Sequence, residues 1–165
     1  MRNSEFEELY EQHAQALYAF LAYRTGDRTL AEDLLSETFE RALRARTRFN
    51  RRRGTAKAWL YSIALNCARN AARSQGAERR ALERLGAPNE VLDAGLSLED
   101  REELMHGLAQ LAAEERDALA LRFGGGLTSP EIARLTGERL TTVEGRVYRG
   151  LRKLRELLAT EARLP

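Results

Sequence analysis

Apolar residues recur every third or fourth position in several long runs along the chain, the period of a helix with one buried face. In the first run, Phe6, Leu9, Tyr10, His13, Leu17, Phe20 and Leu21 share a stripe and predict a helix from about Ser4 to Tyr23. Gly26-Asp27 breaks it. Thr29-Leu30-Ala31-Glu32 reads as a capping box, in which a Thr hydroxyl and a Glu carboxylate satisfy free backbone N–H groups. A second helix follows, with Ala31, Leu34, Leu35, Thr38, Phe39, Ala42 and Leu43 inward. Its opposite face carries Glu32, Asp33, Glu37, Glu40, Arg41 and Arg44. The period stops at Arg46 to Gly54, which predicts a loop. A third helix begins near Thr55 and buries Ala56, Trp59, Leu60, Ile63, Ala64, Cys67, Ala68 and Ala71. Three such stripes can close on one shared core.

From about Gly76 to Ser97 no stripe persists, and Gly86, Pro88, Asn89 and Gly95 punctuate the segment, as in a flexible linker with at most a short helical stretch near Glu78 to Leu85. Two amphipathic helices follow, Leu98 to Leu111 and Glu114 to Phe123, ended by Gly124-Gly125-Gly126. Thr128-Ser129-Pro130-Glu131 is a second capping box, with Pro130 in the first turn, where a missing N–H does no harm. Ile132, Ala133 and Leu135 mark a short helix, and Gly137 a turn. A long helix capped by Thr141 or Thr142 then buries Val143, Val147, Leu151, Leu154 and Leu158. A short helix, a glycine turn and a longer helix form the helix-turn-helix signature. The expected fold is all-α: two small helical domains, 1–75 and 98–165, joined by a linker over 76–97.

Composition agrees with helices, since Ala, Leu, Arg and Glu dominate. The net charge of +2 conceals a segregated distribution. Nine acids oppose three bases from Met1 to Glu40, twelve bases oppose one acid from Arg41 to Arg80, and six bases oppose one acid from Arg139 to Arg155. An acidic head and two separate basic zones point to two nucleic-acid contacts and a different, protein-facing surface. Cys67 is the single cysteine, so an internal disulfide and a C-x-x-C metal site are both excluded. The opening residues lack the apolar core of a signal peptide, and no run has transmembrane length, so a cytoplasmic protein without membrane insertion is expected.

On the last helix, Arg146 and Glu144 are candidate base readers, with Thr141 and Thr142 beside them. Arginine can bond guanine in bidentate fashion, and glutamate can accept from the cytosine amino group. Arg139, Arg149 and Lys153 are candidate phosphate contacts, which position a domain without specifying sequence. In the other basic zone, Arg48, Arg51, Arg52 and Arg53 would track a strand and Asn50 would touch a displaced base. Lys57, Tyr61, Asn66, Arg69 and Arg73 would form the exposed side of the third helix. Trp59 lies on the apolar stripe and belongs to the core. Catalysis finds no support: His13 and His106 lie far apart, and no nucleophile elbow, phosphate loop or paired metal-ligand motif occurs. No enzyme activity, catalytic residue, metal or cofactor is expected.

Four ordered motifs resemble the extracytoplasmic-function class of sigma factors in the sigma-70 family. Phe6-x-x-Leu9-Tyr10 with His13 resembles that family's opening helix. Ala31 to Phe39 (AEDLLSETF) resembles the segment that docks on polymerase clamp helices, and Ala58 to Asn66 (AWLYSIALN) the reader of the minus-ten element. Leu127 to Ala133, continued by Thr142 to Val147, resembles the reader of the minus-thirty-five element. The resemblance implies that Asp33, Glu37, Glu40 and Arg41 contact core RNA polymerase, whose clamp helices and flap are the expected partners. It implies opened minus-ten DNA at Arg48 to Arg53, Lys57, Tyr61, Asn66 and Arg69, and duplex DNA at Thr141, Thr142, Glu144, Arg146 and Arg149. An anti-sigma inhibitor, which the family often has, is implied as well. Two rivals stay open from the residues alone. One is a dimeric helix-turn-helix regulator using only the C-terminal half; the other is an enzyme that processes nucleic acid.

Overall fold

The computed structural model describes residues 1–75 and 97–161, and the linker expectation for 76–96 lies outside them. The described residues form helices without strands: α1 (Asn3–Thr25), α2 (Arg28–Ala45), α3 (Ala56–Gln75), α4 (Leu98–Ala109), α5 (Ala113–Leu119), α6 (Ser129–Thr136) and α7 (Leu140–Glu161). Two 3-10 turns, Arg46–Arg48 and Arg51–Arg53, join α2 to α3, and a π-helical turn, Ala120–Gly124, continues α5.

Local chemistry sets the boundaries. α1 ends on Gly26, whose φ of 67° is left-handed, and its N–H returns to the Ala22 carbonyl at 2.8 Å. The expected Thr29–Glu32 capping box does not form. α2 instead starts at Arg28, and the buried Asp27 is its cap, accepting from the Leu30 N–H at 3.0 Å. Asp27 lies two residues before Thr29, and its side-chain oxygen already caps the helix there, which leaves Thr29 inside the first turn. The second capping box forms as read: Thr128 Oγ1 accepts from the Glu131 N–H, while the Glu131 carboxylate accepts from the Thr128 N–H at 2.8 Å. Ser97 and Asp100 repeat the device at the head of α4.

α1, α2 and α3 bury Leu9, Leu17, Phe20, Leu21, Leu34, Phe39, Leu60, Ala64, Leu65 and Cys67 among themselves. Two residues of the expected stripes stay out of this core: Tyr10 is half exposed, with its ring on Phe39 at 4.7 Å, and Leu43 at the end of α2 is exposed. The same core continues without a break into Ala120, Leu121, Leu127, Ile132, Ala133 and Val143. The two halves are therefore packed together rather than held apart. α1 lies against the π-helical turn and α3 against α6. Gly125 makes this approach feasible, because a Cβ there would fall 2.6 Å from the Tyr61 ring. A second, smaller cluster of Met105, Leu108, Leu111, Leu119 and Leu154 fastens α4 and α5 to α7. Buried Arg116 holds the turn between α4 and α5 by donating to the Ala109 and Leu111 carbonyls at 2.8 and 3.0 Å.

Candidate nucleic-acid interface

The α6–α7 pair has the geometry of a helix-turn-helix. Gly137 terminates α6 with φ 72°, its N–H donating to Ala133, and Ala133 is buried beneath α7 beside Val143. Thr141 and Glu144 are exposed on the first turns of α7, and Arg139 is exposed just ahead of it. Thr142 is partly buried. Arg146 is half-buried and donates to Glu138 in the turn. That bond holds the Glu138 carboxyl below the usual glutamate range. Arg149 is half exposed. Lys153 faces α5 and donates to both oxygens of buried Glu115 at 2.9 and 3.0 Å, so its charge already serves the packing of α7. Tyr148, 68% exposed on α7, was not singled out from sequence. Its aromatic ring fitted a core stripe no better than a surface one, and only the observed helix phase decides between them.

The other basic zone is ordered by contacts with α1. Arg51 donates to Glu5 at 2.6 Å, and the Arg2 N–H reaches the same carboxylate at 2.7 Å. The bond from the Arg2 backbone is the main reason that the Glu5 carboxyl is lowered from its ordinary value. Asn50 caps the second 3-10 turn by accepting from the Arg52 N–H at 2.9 Å. Its side-chain oxygen thus shapes the loop, and the residue as a whole is exposed. Arg48, Arg52 and Arg53 are exposed. Phe49 lies against Trp59 with ring centroids 5.1 Å apart, and Trp59 is partly buried, as its place on the stripe implied. The loop and the start of α1 together border a cavity of about 640 Å³ that also touches His13. Burial, with Lys57 adding to it, lowers the imidazole pKa there.

Along α3, Asn66 and Arg73 are exposed and Lys57 partly so. Tyr61 corrects the expectation of an exposed side chain. It is fully buried, donates to the Gly125 carbonyl at 3.3 Å, and packs on Phe20 with centroids 5.7 Å apart. Burial raises its phenol pKa. Sequence periodicity could not foresee this, because the surface that covers Tyr61 comes from the C-terminal half. Arg69 is likewise engaged, with Nε donating to Asp117 Oδ2 at 3.1 Å.

On α2, Asp33, Glu40 and Arg41 are exposed and Glu37 is partly exposed. Glu37 pairs with Arg41 at 2.6 Å, and Glu40 pairs with Arg44 one turn on. Among the described residues, no group of three or more His, Cys, Asp or Glu side chains is placed to hold a metal ion. No described helix is long and apolar enough to cross a membrane.

Comparison with known proteins agrees with this layout. Residues 9–78 match the family described as sigma-70 region 2, and residues 101–154 the one described as sigma-70 region 4. RNA polymerase sigma factor CarQ of Myxococcus xanthus is 37% identical over 161 residues, covering 93% of this chain and 88% of CarQ. ECF RNA polymerase sigma factor BldN of Streptomyces coelicolor is 34% identical over 164 residues; the match takes in 96% of this chain but 62% of BldN. Among solved structures, the sigma factor RpoE of Bartonella quintana, in complex with the anti-sigma factor NepR, is similar with a TM-score of 0.72 and 26% identity. That likeness covers 94% of this chain and 97% of RpoE. CnrH, in complex with the cytosolic domain of CnrY, is similar with a TM-score of 0.70 and 26% identity, over 96% of this chain and 90% of CnrH. With both regions matched in order and near-complete coverage of CarQ, the chain belongs to the sigma-70 family of RNA polymerase sigma factors, in its extracytoplasmic-function class.

Proposed function

We propose that the chain gives RNA polymerase promoter recognition through three surfaces carried by different helices. The observation that carries this reading is their coexistence in one chain. α2 presents an exposed acidic face, the loop after it presents exposed arginines, and α6–α7 is a helix-turn-helix with a basic approach. In this reading residues 1–75 bind the polymerase and the minus-ten element, 98–165 bind the minus-thirty-five element, and 76–97 connect them.

Asp33, Glu37, Glu40 and Arg41 dock on the polymerase clamp helices. Arg48, Arg51, Arg52, Arg53, Lys57 and Arg69 neutralise phosphates of the opened strand, while Asn50 and Asn66, both exposed, lie close to its bases. Arg146 and Glu144 read base edges upstream with Thr141 and Thr142, and Arg139 and Arg149 hold phosphates. Each DNA contact is weak alone; the polymerase fixes both at one separation and makes them act together. Action on the polymerase implies a cytoplasmic site of work and no catalytic role of the chain itself. An anti-sigma factor joins the proposed partners, since the similar RpoE was solved with one.

Co-elution with purified core polymerase tests the first surface. Wild-type chain is expected to co-elute, and Asp33→Lys with Glu40→Lys to fail while keeping its helical spectrum. Absence of any association would remove the reading.

A further inference from the structure

We infer that Glu5, on the first turn of α1, is a positioning residue for minus-ten recognition: it anchors Arg51 and thereby holds Asn50 in place. This rests on the reading of the loop Arg46 to Gly54 as the minus-ten surface. That loop packs five arginines and no acid into nine residues. Its two 3-10 turns are three residues each, and like charges at such spacing push one another apart. An ordered loop needs a counter-charge from elsewhere in the chain, and Glu5 supplies one from 46 residues upstream.

The Glu5 carboxylate is itself fixed. One oxygen accepts from the Arg2 N–H at 2.7 Å, the other from the Arg51 guanidinium at 2.6 Å. The Glu5 side chain is 23% exposed, whereas that of Arg51 is 75% exposed and keeps a broad surface for a phosphate. The pair ties together the two sides of the cavity of about 640 Å³, with Glu5, Glu8 and His13 of α1 on one side and Arg51 to Arg53 on the other. Asn50 lies between two anchors. On one side Phe49 rests on Trp59 of α3, and on the other Arg51 is held by Glu5 of α1. Asn50 also accepts from the Arg52 N–H, so a shift of the turn carries its amide along.

An anion beside an arginine loop repels a phosphate strand, so Glu5 weakens the overall attraction to DNA. What it adds is order: with Arg51 held, the candidate base contact meets the strand in one orientation. Exposed ion pairs contribute little to folding stability. Loss of Glu5 is therefore felt in discrimination and leaves the fold intact. Glu5→Gln suits the test, since glutamine still accepts from the Arg2 N–H while losing the charge that holds Arg51.

The experiment compares holoenzymes of core polymerase with wild-type chain, Glu5→Gln, Arg51→Ala and the double variant. Each selects from two duplex pools built on a fragment that the wild type transcribes, one randomised across the minus-ten element and one across the upstream element. Discrimination is the enrichment of the best sequence over its single-base variants, and circular dichroism follows melting of the free chains. Glu5→Gln should melt close to the wild-type temperature, lower minus-ten discrimination about threefold or more, and leave upstream discrimination unchanged. Arg51→Ala should do the same, and the double variant should lose no more than Arg51→Ala alone.

Unchanged minus-ten discrimination in Glu5→Gln overturns the proposal. Equal losses in both pools overturn it too, because they mark a general structural defect. Additive losses in the double variant overturn it as well, because Glu5 then does not act through Arg51. If the wild type transcribes no fragment or shows no minus-ten preference, the underlying reading falls and takes this proposal with it, a result distinct from the other three.

Discussion

Lys153 of α7 and Glu115 of α5 form a strut across the C-terminal half, the ammonium lying 2.9 and 3.0 Å from the two carboxylate oxygens. Glu115 has a side chain only 9% exposed, and Arg149 is its next cation at 4.0 Å. The sequence reading gave Lys153 to the phosphate backbone of DNA. The observed pairing gives it a packing task as well. Lys153→Met should therefore lower unfolding stability by about 1–2 kcal/mol, by stranding a buried carboxylate. Denaturant unfolding measures this, and unchanged stability together with weakened DNA binding would return Lys153 to a pure phosphate contact.

Gly137 offers a sharper test of the turn between α6 and α7. A Cβ there would meet no atom within 4 Å, yet φ is 72°, so a substitution is opposed by backbone conformation alone. Gly137→Ala should cost about 1–2 kcal/mol, with a lower melting temperature. No change in melting would mean that the turn is not left-handed in solution.

These two residues show how legibility varied. Gly137, Ala133 and the Thr128–Glu131 box were readable because their requirements are local: a left-handed turn, a close helix crossing, a capped N-terminus. The stripes of α1 to α3 and α7 were readable from their period. Asp27 as the cap of α2 was missed because Thr29–Glu32 matched the same local pattern two residues later. Tyr61, Arg69 and Lys153 were assigned to solvent because each looks free on its own helix. Their partners, Gly125, Asp117 and Glu115, lie 64, 48 and 38 residues away, and a periodic pattern carries no information about such pairings.

In the proposed reading, Arg146 exchanges its Glu138 partner for a base edge when DNA binds. Its bond to Glu138 holds the guanidinium near the N-terminal part of α7, where a base edge would replace the carboxylate. Arg146→Ala should weaken promoter binding by polymerase carrying this chain by about 1–3 kcal/mol, with the loss concentrated at one upstream base pair. Equal loss on every variant of the upstream element, measured by competition binding, would contradict base reading.

Acid should loosen the helix-turn-helix in a predictable window. The Glu131 carboxyl is lowered mainly by the Thr128 N–H, and that of Glu138 mainly by Arg146, both from an ordinary value of 4.5. A carboxyl with a depressed folded pKa stabilises fully above its unfolded value and loses that contribution as pH falls through the folded one. Melting temperature should therefore drop below about pH 4.5. Glu131→Gln and Glu138→Gln should start lower at neutral pH and lose less on acidification. Parallel losses in wild type and variants would exclude these two groups as the cause.

Run-off transcription on a pool of upstream genomic fragments, with core polymerase and this chain as the variable components, bears most directly on the division of surfaces. The account predicts discrete transcripts from a small set of fragments when wild-type chain is added. It predicts their loss with the α2 charge reversal, Asp33→Lys with Glu40→Lys. Transcripts that are absent with wild-type chain, or undiminished with the reversed α2, would contradict it.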